Sequence, residues 1–195
     1  MSIDFAGKIK KLGGIENIEK MNSRFIQSNI VYISKIMGIL PDAEILKFTE
    51  NFGFCMFNKN ICINSNERNE FLKDGKIELG IIFGFGESNN SVKNIVKTYF
   101  KKEQINEKFY PLFEGYHGDI IFYSLENEKF GKIYYWHHES SIDEKKVLVE
   151  NSFEHFFKKL YIVEDNSNKT LEQKIISVSY TDDFKKMVEE YKNKK

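Results

Sequence analysis

The stretch GDIIFYSLENEKFGKIYYWHHESSIDEKKVLVENSFEHFFKKL, residues 118–160, decides how this chain folds. Its first part holds two apolar, aromatic-rich runs, 119–125 and 132–138, separated by the polar segment 126–131. Runs rich in Ile, Phe and Tyr, joined by a short segment ending in Gly131, predict two antiparallel strands of one hairpin. The residues after Glu139 are polar and read as a loop. Asn151 or Ser152 then offers an N-cap, and Phe153, Phe156, Phe157 and Leu160 recur at three- and four-residue spacing. That is the inward stripe of a short amphipathic helix running to about residue 161.

Working towards the N-terminus, 109–113 reads as a strand carrying Pro111. Proline has no N–H to give to a ladder, so this strand belongs at a sheet edge or a bulge. Residues 91–102 read as a helix, with Val92, Ile95, Val96 and Tyr99 on one side and Asn90 or Ser91 as its cap. Residues 77–83 read as a buried strand. Residues 54–57 and 61–63 read as a hairpin around Asn58-Lys59-Asn60. Two helices precede them: 27–37, stopped by Gly38, and 42–51, opened by Pro41-Asp42. The first 24 residues read as two short helical pieces around Gly13-Gly14. Towards the C-terminus, 164–170 reads as a polar break, 171–180 as a strand-like or helical run, and Thr181 as the start of a last helix.

Adjacent strands with short turns, flanked by helices, predict an α+β fold: a mostly antiparallel twisted sheet with helices packed on it. At 195 residues the chain suits one domain with extensions. The expected division is an N-terminal helical extension at 1–26, a central domain at 27–163, and a C-terminal extension ending in a helix at 164–195.

Composition restricts the function. The 18 Phe, 10 Tyr and one Trp supply a large aromatic core. The basic residues are nearly all Lys; Arg24 and Arg68 are the only arginines. Guanidinium groups read phosphates and base edges best, so their scarcity argues against direct nucleic-acid binding. Net charge is zero overall, yet 1–24 and 166–195 are each +2, leaving the middle at −4. A mildly acidic middle suits a basic protein partner. Cys55 and Cys62 make no disulfide framework and are expected to be free thiols. No stretch reaches the roughly 20 apolar residues of a membrane span, so a cytoplasmic location with no membrane role is expected.

Candidate chemical groups are few. His137 and His138 are adjacent on a predicted strand, so they should point to opposite faces and not share an ion. No metal and no cofactor are expected. Asp119, after His117-Gly118, is either a general base or, as is commoner beside a glycine, the acceptor of a local turn hydrogen bond. Gly80, Gly84 and Gly86 fit no phosphate-binding spacing and read as a tight turn or bulge. On the predicted strand 132–138, Tyr134, Trp136 and His138 share one face, and Ile133, Tyr135 and His137 the other. One face is core; the other either presents aromatics to a partner or is covered by a helix.

In order along the chain, Leu40-Pro41 followed by Asn51-Phe52-Gly53, the segment Ile82-Phe83-Gly84-Phe85-Gly86, Phe109-Tyr110-Pro111, Gly118-Asp119 with Gly131-Lys132-Ile133-Tyr134-Tyr135-Trp136, and Ser152-Phe153-Glu154-His155-Phe156 resemble the SUKH superfamily. Its members include the Smi/Knr cell-wall regulators of yeast and many bacterial toxin-immunity proteins. The likeness spans about residues 27–161. It departs from the usual pattern at Lys35 and at Met37-Gly38-Ile39, where the glycine is kept but not the usual acid and leucine. What the resemblance implies is a non-catalytic binding module. In bacteria that means an immunity protein that binds and neutralises a cognate toxin of a polymorphic or contact-dependent system, often a nuclease. No catalytic residue is implied. Partner contact is assigned at this stage to Tyr134, Trp136, His138, Phe85 and Glu87, and the chain is expected to be a monomer or weak dimer. A scaffold or regulator of cell-envelope or signalling partners is the alternative within the family. A hydrolase using His117 or Asp119 is the alternative outside it.

Overall fold

The computed structural model describes residues 3–65, 67, 71–72, 74–100, 105, 107–115, 118–139 and 146–163. The chain divides after Val163, and all described residues belong to the first unit. The expectations for 164–195 lie outside them. The fold is α+β, with five α-helices and three antiparallel sheets among the described residues.

The largest sheet is built from β5 (Phe109–Glu114), β6 (Ile120–Ser124), β7 (Ile133–Trp136) and β8 (Lys146–Glu150), in the order β5-β6-β7-β8. The predicted hairpin of β6 and β7 is present, with Ile120 opposite Trp136 and Tyr123 opposite Ile133. Pro111 lies at a bulge, where the β5–β6 register shifts between Pro111 and Phe113; the outer side of β5 is bonded to residues 80–83, with Ile82 opposite Phe113. Lys146–Glu150, read from sequence as part of a loop, is the fourth strand.

Helices cover both faces of this sheet. On one face, Phe113 meets Phe48 of α3 (Ala43–Phe52) at 5.8 Å between ring centroids and Phe156 of α5 (Phe153–Lys159) at 5.6 Å. On the same face the Tyr110 hydroxyl donates to Thr49 Oγ1 at 2.9 Å, and the Tyr123 hydroxyl to Asp42 Oδ2 at 2.6 Å. On the other face, Trp136 packs edge-on against Tyr99 of α4 (Val92–Tyr99) at 5.2 Å. The caps act as expected: Ser91 Oγ accepts from the Asn94 N–H and Ser152 Oγ from the His155 N–H. Helix α2 (Arg24–Met37) stops at Gly38, which takes φ +74°.

The N-terminal residues are part of this unit rather than an appendage. Helix α1 (Phe5–Lys11) buries Ile9, and Leu12 follows it into the core. Phe5 lies 5.0 Å from Phe48 and 5.1 Å from Phe157, joining α1, α3 and α5 in one aromatic cluster. The second expected helical piece is instead β1 (Ile15–Asn17), antiparallel to β2 (Cys55–Phe57).

That pairing corrects the predicted hairpin of 54–57 with 61–63. Strand β3 (Ile61–Asn64) pairs with β4 (Lys76–Leu79) and β9 (Tyr161–Ile162), not with β2. The Asn58-Lys59-Asn60 turn carries the chain from one sheet to another. Its Asn58 N–H and side chain bond Gly14 O and Gly13 O, and Asn60 O accepts from the Val163 N–H. Cys55 and Cys62 are therefore in different sheets, both buried and both free.

Candidate functional site

Beyond the Ile120–Trp136 pair the β6–β7 ladder ends, and side chains from both strand ends converge on Asp119. This carboxylate is almost fully buried, its side chain 2 % exposed. Oδ2 accepts from the Tyr135 hydroxyl. Oδ1 accepts from the His138 backbone N–H at 3.1 Å and faces His138 Nδ1 at 2.7 Å. Because that carboxylate oxygen is an acceptor, the Nδ1 carries the proton and the Nε2 is turned outwards, 3.6 Å from Glu139 Oε1. His137 Nε2 lies 4.0 Å from Oδ2, and its ring stacks on Phe71 at 4.4 Å.

Local backbone chemistry makes the cluster possible. Gly118 takes φ +99°, a left-handed conformation open to glycine. A Cβ on Gly115 would lie 2.9 Å from the Tyr135 ring, so only glycine lets that ring approach. Burial, then the hydrogen bond and charge of Asp119, push the Tyr135 hydroxyl far above its ordinary range, keeping it a neutral donor.

The expectation that His137 and His138 point apart is corrected here. Alternation holds only within a strand, and β7 ends at Trp136; the two imidazoles flank the same carboxylate with centroids 5.7 Å apart. Among the described residues no group of three or more His, Cys, Asp or Glu side chains is placed to hold a metal ion. His117 lies outside the described residues. Neither cysteine is among the groups bonded to Asp119: Cys55 Sγ contacts Asn17 Oδ1 at 3.0 Å in the β1–β2 ladder, and Cys62 is buried in β3, opposite Glu78.

The residues assigned to partner contact from sequence fare differently. Trp136 and Tyr134 are buried, Trp136 under α4 and Tyr134 against Phe122 at 5.7 Å with Lys146 Nζ 5.0 Å from its ring. Neither β7 face is presented to solvent; helical cover is the explanation for Trp136. Phe85 is fully buried and offers no surface. Glu87 is exposed in the turn before α4, where its carbonyl accepts from Asn94 Nδ2. His138 is partly exposed, 35 % at its side chain, and belongs to the Asp119 cluster.

Beside the cluster opens a cavity of about 350 Å³. Asp119, Tyr135 and His137 form one wall; Lys76, Ile77 and Glu78 of β4 form another, with Phe71, Leu72 and Asp74 closing it. No sequence signal marked this cavity, because its two walls come from different sheets. No helix among the described residues is long and apolar enough to cross a membrane. No protein-family model matches this chain, and no curated protein matches it.

Proposed function

We propose that this chain is a non-catalytic, cytoplasmic binding protein, and that its partner is a toxin domain of a bacterial polymorphic or contact-dependent system that it neutralises by docking. The observation that carries the non-catalytic part is Asp119. Its hydrogen bonds are those of a structural tie between strand ends rather than of a group held ready for proton transfer. Asp119 accepts from Tyr135, from the His138 N–H and from the His138 ring, tying the ends of β6 and β7 together. The immunity role rests on the SUKH-like order of motifs, and the mildly acidic middle of the chain suits a basic nuclease, whose encounter it would speed electrostatically.

The test is genetic and biochemical. The product of the adjacent open reading frame is expressed alone and together with this protein. The expected outcome is growth arrest alone, rescue on co-expression, and a complex that co-purifies in stoichiometric amounts. A neighbour that is harmless, or toxic and not rescued, overturns the immunity reading.

A further inference from the structure

The cavity beside Asp119 has walls suited to one cationic group. Its volume of about 350 Å³ lies at the small end of ligand pockets. Its lining includes the apolar side chains Ile77 and Leu72, 1 % and 4 % exposed, on which an aliphatic stem can pack. Phe71, 40 % exposed and stacked on His137 at 4.4 Å, places its ring at the cavity edge, where a cation can meet it.

The charges in the walls are unequal. Asp74, Glu78 and Asp119 bring three carboxylates, and Lys76 the one ammonium among the described lining residues. Lys76 is already paired, its Nζ 3.4 Å from Glu78 Oε1. Asp74 and Asp119 are thus uncompensated by any lysine or arginine among the described residues of the wall. Among the described residues, Asp119 Oδ2 has a single hydrogen-bond donor, the Tyr135 hydroxyl; His137 Nε2 at 4.0 Å is beyond hydrogen-bond reach. A carboxylate oxygen takes two donors, so Oδ2 keeps an acceptor site at the cavity wall.

We infer that this cavity receives an ammonium or guanidinium group, presented as a lysine or arginine side chain by the protein partner. The inference rests on the binding reading above and names the anchor of that interface. A basic side chain would lay its stem on Ile77 and Leu72, pass the Phe71 ring, and donate to Asp119 with Asp74 at the rim. Cationic anchors in desolvated pockets are the kind of contact that carries interface affinity.

The full-length protein, isotope-labelled, is titrated with ethylguanidinium chloride against sodium chloride at equal ionic strength, following the Phe71, Tyr135 and His137 ring resonances. Expected are saturable shifts with ethylguanidinium only. The double variant Phe71→Ala, Asp74→Asn changes exposed groups and keeps the fold, checked by its melting temperature. It should weaken half-saturation about fivefold or more, the scale of losing one cation–aromatic and one charged contact. Non-saturating shifts matching sodium chloride, or the same half-saturation in the variant, overturn the inference. With the adjacent gene's product in hand, the double variant should bind it about tenfold more weakly. Unchanged affinity for that product overturns the anchor while the binding reading stands. Saturable ethylguanidinium binding alongside a neighbour that forms no complex supports the cation site and overturns the binding reading.

Discussion

Replacing Gly84 by alanine tests a close approach of a ring to backbone in the core. Phe54 is the one non-glycine among the described residues with positive φ, at +61°, and it is 2 % exposed. Its N–H donates to Ile82 O at 2.8 Å, and its carbonyl accepts from the Ile18 N–H at 2.8 Å, so its backbone is held on both sides. The ring lies over two glycines: a Cβ on Gly84 would sit 2.7 Å from Phe54 Cγ and Cδ2, and one on Gly86 2.7 Å from Cζ. Carbon atoms prefer about 3.5–4.0 Å, so the added methyl must displace a ring that has nowhere to go. Overpacking of this kind costs about 1–3 kcal/mol, and the pinned backbone places Gly84→Ala near the top of that range. For a chain of this length a loss of about 3 kcal/mol lowers Tm by roughly 6–12 °C. Trp136, the single tryptophan and only 3 % exposed, reports unfolding by its fluorescence in urea. Phe54→Gly removes the ring and relaxes the positive φ, so Gly84→Ala added to it should cost less than about 0.5 kcal/mol, a coupling of about 2 kcal/mol or more. If Gly84→Ala costs the same with and without the Phe54 ring, the close approach does not explain these glycines.

Two further outcomes follow from single groups. Strand β8 is a sheet edge, and its outward Leu148 N–H and carbonyl are taken by Glu67 Oε2 at 3.0 Å and Ser65 Oγ at 3.2 Å. Glu67→Val frees that edge and should increase concentration-dependent association in sedimentation velocity; sedimentation identical to the parent at every concentration shows that Glu67 does not guard it. Burial pushes the Cys62 thiol from 9.0 up to about 11, so the folded state holds a proton that the unfolded chain releases above pH 9. Its contribution, about 3 kcal/mol at most, is complete below pH 9 and lost as pH climbs to about 11. Urea midpoints of Cys62→Ala should therefore fall less between pH 9 and 11 than those of the parent, and parallel declines refute the assignment.

What was legible in the sequence was local. Helices α2, α4 and α5 announce themselves because apolar spacing, the Ser91 and Ser152 caps and the Gly38 stop all lie within a few residues of one another. Pro111 locates the bulge in β5 for a reason internal to proline. Strands β1 and β9, of three and two residues, are too short to carry a period, and only distant partners make them strands. The Asn58-Lys59-Asn60 segment has the composition of a hairpin turn, but its polar groups bind the Gly13–Gly14 segment and Val163, which no local rule foresees.

The Asp119 cluster divides along the same line. With β6 and β7 joined by a short loop, register alone sets Asp119 across from the His137–His138 pair once Ile120 faces Trp136. The alternation rule hid this, because it was carried one step past Trp136, where the strand ends and His138 enters a turn. Extending a predicted hairpin by its register, rather than its strands by their alternation, brings Asp119, Tyr135 and both histidines together. The opposite wall of the cavity resists any such step. Lys76 and Glu78 reach it on β4, and the segment after β4 is bonded along β5, with Ile82 opposite Phe113 and the Gly80 N–H on Glu114 O, partners some 31 and 34 positions apart in the chain. The carboxylate at this site is thus a local feature of one hairpin, while the space it faces is a property of the assembled core.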